Sequence, residues 1–356
     1  MNKFANLYNC GRKPIVKGRS ALSIKKGTIL SGMRPTGRLH LGNLLGALEN
    51  WVKMQDVYKC YFCVADWHAL TSDYENPSQV SKNIREMVID WISCGIDPEK
   101  AVIFRQSDVK EHAELHLLFS MLAPLSWLER VPTYKEQLGQ IKGKNLSTYG
   151  FLGYPLLQAA DILIYRANAV PVGEDQAPHI ELTREIARRF NYLYQTNTFP
   201  EPETMLNIYK LVPGLDNRKM SKSYNNIIEI STPPNEIPAK IRMMITDPGR
   251  IKKDDPGNPD ICSVFAYQRL FNESRLEEIE KNCRQGKIGC VQCKNAVSAS
   301  IREFLTPIYE KRRELEERPG LVREILEEGG GKARAAASET MEEVRRVMGL
   351  TLYNQC

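Results

Sequence analysis

From Thr28 onward two hydrophobic periodicities alternate along the chain. Short β-rich runs, Thr28-Ile29-Leu30, Tyr58–Ala65, Ala101–Phe104 and Ala169–Val172, read as strands. Between them apolar residues recur at helical spacing. Leu44, Leu45, Leu48, Trp51 and Val52 predict one helix, and residues 78–95 another, with Val80, Ile84, Met87, Val88 and Trp91 on its apolar face and Gly95 as its stop. Residues 111–122 also read as helix, and Ile180, Leu182, Ile186 and Phe190 mark one opening at Gly173-Glu174-Asp175-Gln176. This strand–helix alternation predicts a Rossmann-like α/β fold, a doubly wound parallel sheet with right-handed crossovers. In such sheets ligands lie beyond the carboxyl ends of the strands, so Ser31–Asn43, Asp66–His68 and Gly173–Gln176 are expected at one edge.

After Tyr209 the pattern changes. Pro213-Gly214 and Asp216-Asn217 are turn signals, and Lys219-Met220-Ser221-Lys222-Ser223 reads as a basic, flexible loop. From Asn235 the spacing is helical, interrupted by Pro- and Gly-bearing loops, which predicts a second, mainly helical domain. Gly329-Gly330-Gly331 reads as a helix break, and a last helix around Ser338–Met348 has Met341, Val344 and Met348 on one face. The expected division is a flexible basic extension (1–26), a catalytic domain (27–213), the lysine loop with a helical domain (214–316) and C-terminal helices (317–356). No internal repeat is present.

Hydrophobic content of 42% and charged content of 26% suit a globular protein, and no apolar run is long enough to span a membrane. The net charge of +6 would suggest nucleic acid, but residues 1–26 carry seven cations and no acid, leaving the remaining 330 residues at −1. Any RNA contact by the body therefore uses local patches. The tail reads as a disordered extension, a transit peptide or an RNA-binding arm; the first is favoured because its apolar residues have no amphipathic period. Nine cysteines, an odd number without a secretory signal, argue for a reducing, cytoplasmic compartment.

Ser31–Asn43 is a loop between a strand and a helix with three glycines, Arg34, Arg38 and His40. A helix N-terminus offers unpaired N–H groups and a partial positive charge, which suits a phosphate. Tyr154, Gln158 and Asp161 fall at i, i+4 and i+7 of an otherwise apolar run. They form one polar face, either a buried cluster satisfied internally or a pocket for a polar ligand group.

His40-Leu41-Gly42-Asn43, followed about 180 residues later by Lys219–Ser223, resembles the HIGH and KMSKS signatures of class I aminoacyl-tRNA synthetases. Together with Ala65–Thr71, Tyr154–Tyr165, Val172–Gln176, His179–Arg184 and the Met348-Gly349-Leu350 ending, the span Thr28–Leu350 resembles bacterial-type tryptophanyl-tRNA synthetases. The tyrosyl enzymes share the fold and the Tyr154, Gln158, Asp161 spacing; a catalytically silent RNA-binding relative is a further alternative.

The resemblance implies a homodimer that activates L-tryptophan with ATP and Mg²⁺ and transfers it to tRNA(Trp). It implies catalytic roles for His40, Asn43, Lys219 and Lys222. ATP would be contacted by Arg34, Thr36, Gly42, Asn43, Gly173, Glu174, Asp175, Val212 and the Lys219, Met220, Ser221, Lys222, Ser223 loop. Asp161 would receive the indole N–H, Tyr154 and Gln176 the α-amino group, with His68 and Gln158 lining the pocket. Arg34 stands where Gln is usual and Gln158 where many members carry Met. The final helix would pack back on the catalytic domain.

Cys262, Cys283, Cys290 and Cys293 supply four soft ligands within 32 residues. A structural zinc site usually pairs two close dyads, whereas this spacing is nearer to cluster ligation. It resembles the [4Fe–4S] site in the anticodon-binding domain of some family members; Zn²⁺ and free thiols are the alternatives. Arg284, Lys287 and Lys294 flank the cysteines as candidate anticodon contacts. Cys60-x2-Cys63 alternates sides of a predicted strand and reads as core packing.

Overall fold

The computed structural model describes residues 25–75, 77–140, 146–206 and 212–351; most of the basic extension lies outside them. Five strands, β1 (Thr28–Met33), β2 (Lys59–Val64), β3 (Ala101–Arg105), β4 (Ala169–Val172) and β5 (Glu203–Leu206), form one parallel sheet in the order β3-β2-β1-β4-β5. Thr28 to Met33 pair in register with Lys59 to Val64, and Ala169 to Val172 with Glu203 to Leu206. The chain builds outward from β1 in one direction and then returns to the other side, so the switch point lies between β1 and β4.

β1 runs three residues further than its apolar core predicts, because Ser31, Gly32 and Met33 pair with Phe62, Cys63 and Val64. A Cβ at Gly32 would sit 2.9 Å from the Cys63 carbonyl oxygen, so only glycine allows that approach. The chain then turns into α1 (Leu41–Asn43), a π-helical segment (Leu44–Leu48) and α2 (Glu49–Met54). After β2 come α3 (Asp66–Asp73) and α4 (Val80–Ser93), the latter ending where Gly95 takes φ +106°. α5 (Glu111–Ser120), α6 (Leu125–Glu129), α7 (Pro132–Gln140) and α8 (Tyr149–Ile164) follow β3, and α9 (Ala177–Leu193) links β4 to β5.

The two faces of the sheet hold separate cores. On one, Cys60, Phe62 and Val64 pack with α2 and α4; Trp51 stacks on Phe62 at 4.5 Å and meets Trp91 edge-on at 5.2 Å. On the other, Tyr61 and Cys63 pack with α5, α8 and α9. Cys60 and Cys63 thus point to opposite faces, as strand geometry requires. Each large side chain buried this completely stabilises the fold by about 1.5–3 kcal/mol.

The helical region comprises α10 (Ile237–Arg242), α11 (Ser263–Phe271), α12 (Leu276–Arg284), α13 (Cys290–Glu316) and α14 (Leu321–Val347). Here the fold departs from the sequence pattern twice. The three glycines do not break a helix: α14 runs through them. A Cβ at Gly329 would lie 1.8 Å from the Ile103 carbonyl oxygen, so the glycines let α14 lie directly on edge strand β3. β5 has no counterpart in the hydrophobic pattern, because it is short, half exposed and bears Glu203. α14 returns to the sheet domain, with Ala333, Ala337, Met341 and Val344 buried there, Ser338 donating to Glu111, and Arg345 forked onto Glu114. Among the described residues no helix is long and apolar enough to cross a membrane.

Candidate active site

A cleft of about 1000 Å³ opens at the switch point. The ends of β1 and β4 and helices α3 and α8 form its floor; the lysine loop forms its rim. It gathers Arg34, Thr36, His40, Asn43, His68, Tyr154, Gln158, Asp161, Gly173, Gln176, Lys219, Met220, Ser221 and Lys222. Gly42, Glu174, Asp175 and Val212 are not among its lining residues, and Glu174 and Asp175 are exposed. Val212 is a core residue whose carbonyl accepts from the Met220 amide; Asp175 folds against Gly173 and accepts from Gln176 at 2.9 Å. Ser223 lends backbone to the turn Lys222–Tyr224, and its side chain lies outside the described residues.

At one end, Leu39, His40 and Leu41 are pinned by their backbones. The Leu39 N–H donates to Asp90 Oδ2 at 2.8 Å, the Leu41 N–H to the Ile228 carbonyl, and the Leu39 carbonyl accepts from Ile230. His40 caps α1, its N–H donating to Asn43 Oδ1 at 3.1 Å. Its ring lies over Gly42, where a Cβ would come 3.0 Å from Nδ1 and press on the ring. Burial first, then the nearby Lys222 charge, depress the imidazole to about 4. His40 is therefore a neutral hydrogen-bonding group at pH 7, and its buried Nδ1 has no partner within the described residues.

Opposite, Lys222 Nζ reaches across to the Thr36 carbonyl at 3.0 Å. Burial lowers its pKa, opposed by Glu229 and Asp90. The lysine loop is a built turn. Buried Asn226 accepts from the Ser221 amide at 2.8 Å and donates to Asp216 and to the Lys219 carbonyl. No motif in the sequence marks Asn226.

At the other end, α8 presents Asp161 into a buried set of donors. His68 Nε2 lies 2.8 Å from Oδ2, His112 Nδ1 2.6 Å from Oδ1, and Gln106 Nε2 2.9 Å from both oxygens. His112 is held in turn by the Tyr165 hydroxyl at 2.7 Å. Burial alone would raise the Asp161 carboxyl, but hydrogen bonds and charge from His112 and His68 outweigh it and hold the group well below the usual range. Asp161 is the only carboxylate among the described lining residues. Tyr154 OH meets Thr133 Oγ1 at 2.8 Å, which meets His179 Nε2 at 2.7 Å. Gln106, His112 and Thr133 belong to no sequence motif, and Tyr165 closes the Tyr154–Tyr165 stretch with no role assigned to it; a histidine at the start of α5, His112, is only a weak signal.

Arg34 reaches from the loop to Ser72 Oγ and lies 3.9 Å from Asp73. Burial lowers its pKa, with Asp73 and Tyr154 opposing. It stands as a cation at the cleft wall between the two ends.

The four cysteines are brought together away from the cleft. Cys262 precedes α11, Cys283 lies in the last turn of α12, and Cys290 and Cys293 open α13. Burial raises the Cys283 and Cys293 thiols, Cys293 to about 11. Cys293 also feels the other three sulfurs, and Cys283 those of Cys262 and Cys290. Gln268 Nε2 lies 3.2 Å from Cys293 Sγ and Arg250 Nη1 4.0 Å from Cys283 Sγ. Among the described residues no three such side chains are close enough to hold a single metal ion. Nor are the flanking cations all free: Arg284 pairs with Asp260 and Glu280, and Lys294 donates to the Arg242 carbonyl.

Residues 24–306 match the family model of class I tRNA synthetases (W and Y). A tryptophan–tRNA ligase of Thermotoga maritima is 55% identical over 90% of this chain and 99% of its own length. One from Aquifex aeolicus is 46% identical, again over 90% of this chain and 99% of its own. Among solved structures, a tryptophanyl-tRNA synthetase of Campylobacter jejuni complexed with ADP and tryptophan superimposes with a TM-score of 0.82 at 34% identity, covering 90% of this chain and 99% of that one. With the signature residues gathered at the switch point of a parallel sheet, these likenesses mean that the chain belongs to the tryptophan–tRNA ligases of the class I tRNA synthetases.

Proposed function

We propose that the chain joins L-tryptophan to tRNA(Trp) in two steps within this one cleft. Tryptophan's carboxylate oxygen attacks the α-phosphorus of ATP. The bond to the β-phosphate oxygen breaks and pyrophosphate leaves; a terminal ribose hydroxyl of the tRNA then attacks the carbonyl carbon of the adenylate, the anhydride C–O bond breaks and AMP leaves. The reactants supply nucleophile and leaving group, so the protein positions them and offsets charge. Neutral His40 binds phosphate oxygens from one side, and Lys219 and Lys222 close on the departing pyrophosphate from the other. Arg34 adds a cation toward the reacting carboxylate and α-phosphate. Mg²⁺ enters with the nucleotide, its oxygen ligands coming from the triphosphate, since Asp161 is already engaged.

Asp161 receives the indole N–H, with Gln158 beside it, while Tyr154 and Gln176 take the α-amino group. A ligand without the N–H forgoes that charge-assisted bond, while Asp161 keeps its donors His68, His112 and Gln106. The observation that carries this reading is the single cleft that holds the charged Asp161 set at one end and the His40–Lys222 pair at the other. ATP–pyrophosphate exchange tests it: exchange with tryptophan and not with tyrosine is expected. Exchange with tyrosine alone, or RNA binding without adenylate, refutes it.

Three further assignments complete the proposal. Residues 214–316 form the anticodon-facing part, with Cys262, Cys283, Cys290 and Cys293 holding a [4Fe–4S] cluster; support comes from three helix ends converging on four sulfurs, with N–H donors at two of them. When bound, the cluster would fix the loop beside Lys287 for RNA. Anaerobic purification with iron and zinc assays decides it: brown protein with iron is expected, and colourless protein with stoichiometric zinc overturns it. The enzyme works as a homodimer through exposed Leu117, Met121 and Leu125 at the end of α5 and the start of α6, and in the cytoplasm, where its thiols stay reduced.

A further inference from the structure

Beneath the phosphate end of the cleft lies an ion cluster that the chemistry above does not use. Arg312, 1% exposed on α13, sends one guanidinium nitrogen to Asp90 and another to Glu86, two fully or nearly buried carboxylates one helical turn apart on α4. Arg312 also donates to the Glu86 carbonyl at 3.3 Å, and its Nε lies 3.1 Å from Glu316. Both carboxylates also face the signature loop: Glu86 Oε2 accepts from Arg38 Nε at 2.8 Å, and Asp90 Oδ2 from the Leu39 N–H at 2.8 Å. Lys222, on the opposite rim, also feels the charge of Asp90.

We propose that Arg312 is a positioning residue for the phosphate site: from α13 it holds Glu86 and Asp90 where they fix Arg38 and the Leu39 amide, and so sets the backbone that presents His40. Stability does not by itself account for such a cluster. A buried arginine with two carboxylates is commonly matched by apolar residues of like volume, because desolvation cancels most of the attraction. A planar guanidinium does supply a fixed geometry. Here it orients both carboxylates at once, and both are aimed at one loop. Leu39 is then held through its N–H by Asp90 and through its carbonyl by Ile230, with Leu41 held by Ile228. His40 hangs between two immobilised peptide units. The cluster lies on the α4 side of the sheet, whereas Asp161 and its donors lie on the α5–α8 side, so nucleotide handling should respond to it and tryptophan binding should not.

The inference rests on the proposed activity and is tested through it. ATP–pyrophosphate exchange and thermal melting are measured for the wild type, Arg312→Met, Arg312→Lys and Arg38→Met. Misplacing a reacting group by a fraction of an ångström to 1 Å costs about ten- to a hundred-fold. Arg312→Met should therefore lower kcat/KM for ATP about ten-fold or more, with KM for tryptophan within about two-fold of wild type. Arg312→Lys, which keeps a cation in place, should recover part of the loss. Arg38→Met, a change at a half-exposed side chain, should shift the ATP parameters the same way by about two- to five-fold, with its melting temperature read alongside, and it decides the matter if Arg312→Met does not fold. Wild-type ATP parameters in folded variants overturn the inference, as does a parallel rise of both KM values with a fall in melting temperature. A wild-type chain without exchange refutes the proposed function, and this inference with it.

Discussion

Replacing Gly329 by Ala tests how α14 sits on the sheet. The added Cβ would stand 1.8 Å from the Ile103 carbonyl oxygen and 2.8 Å from its carbon, against ordinary contacts of 3.4 Å or more. Both neighbours are backbone of β3, which cannot swing aside. The helix must therefore retreat by about 1.5 Å to restore van der Waals separation, loosening buried Ile325, Ala333 and Ala337 along the same face. Overpacking of this kind costs about 1–3 kcal/mol, and a clash with backbone places it at the upper end. Alanine's better helix propensity returns about 1 kcal/mol, leaving a net loss of about 2 kcal/mol. The neighbouring glycines are internal controls. Gly331 is exposed, and an added methyl would find nothing within 4 Å, so Gly331→Ala should gain about 0.5–1 kcal/mol. At Gly330 the methyl would make only a 3.5 Å contact with Asp108 Cβ, so Gly330→Ala should behave similarly. Urea unfolding followed by tryptophan fluorescence and far-UV circular dichroism reads all three. A Gly329→Ala protein as stable as Gly331→Ala would show that α14 does not lie against β3.

Other expectations follow from the site. Asp161→Asn should lower kcat/KM for tryptophan about a hundred-fold, since it removes a charged partner from His68 and His112, with KM for ATP nearly unchanged; equal effects on both substrates would contradict the division of the cleft. Lys222→Ala should cut the exchange rate about 10²–10³-fold while tryptophan binding, followed by calorimetry, stays as in wild type. His179 is buried and its pKa is depressed to about 4, chiefly by burial and then by His68. The unfolded chain binds that proton near 6.5, so the ring's contribution is complete above that pH and lost as pH falls toward 4; it is on the order of 3 kcal/mol. His179→Gln should flatten the acid limb of a stability–pH profile, and an unchanged limb would place the effect elsewhere.

Much of this is legible in the residues because it is local. Strand and helix periodicities depend on a few neighbours, so the alternation, the carboxyl-edge placement of Ser31–Asn43 and Gly173–Gln176, and the shared face of Tyr154, Gln158 and Asp161 can be read directly. The two signature loops are contiguous runs that can be recognised from their own residues. What the tertiary structure alone decides is who stands opposite whom. His112 and Gln106 reach Asp161 across 49 and 55 residues, and Arg312 reaches Glu86 across 226; none of these pairings has a periodicity. The state of His40, too, belongs to the fold, since its neutrality comes from burial and from a lysine on the opposite rim. The three glycines illustrate the difference best. As a local signal they predict a break, because glycine is a poor helix former. In the folded chain one of them is what allows the helix to continue across β3, because close approach of two backbones leaves no room for a side chain.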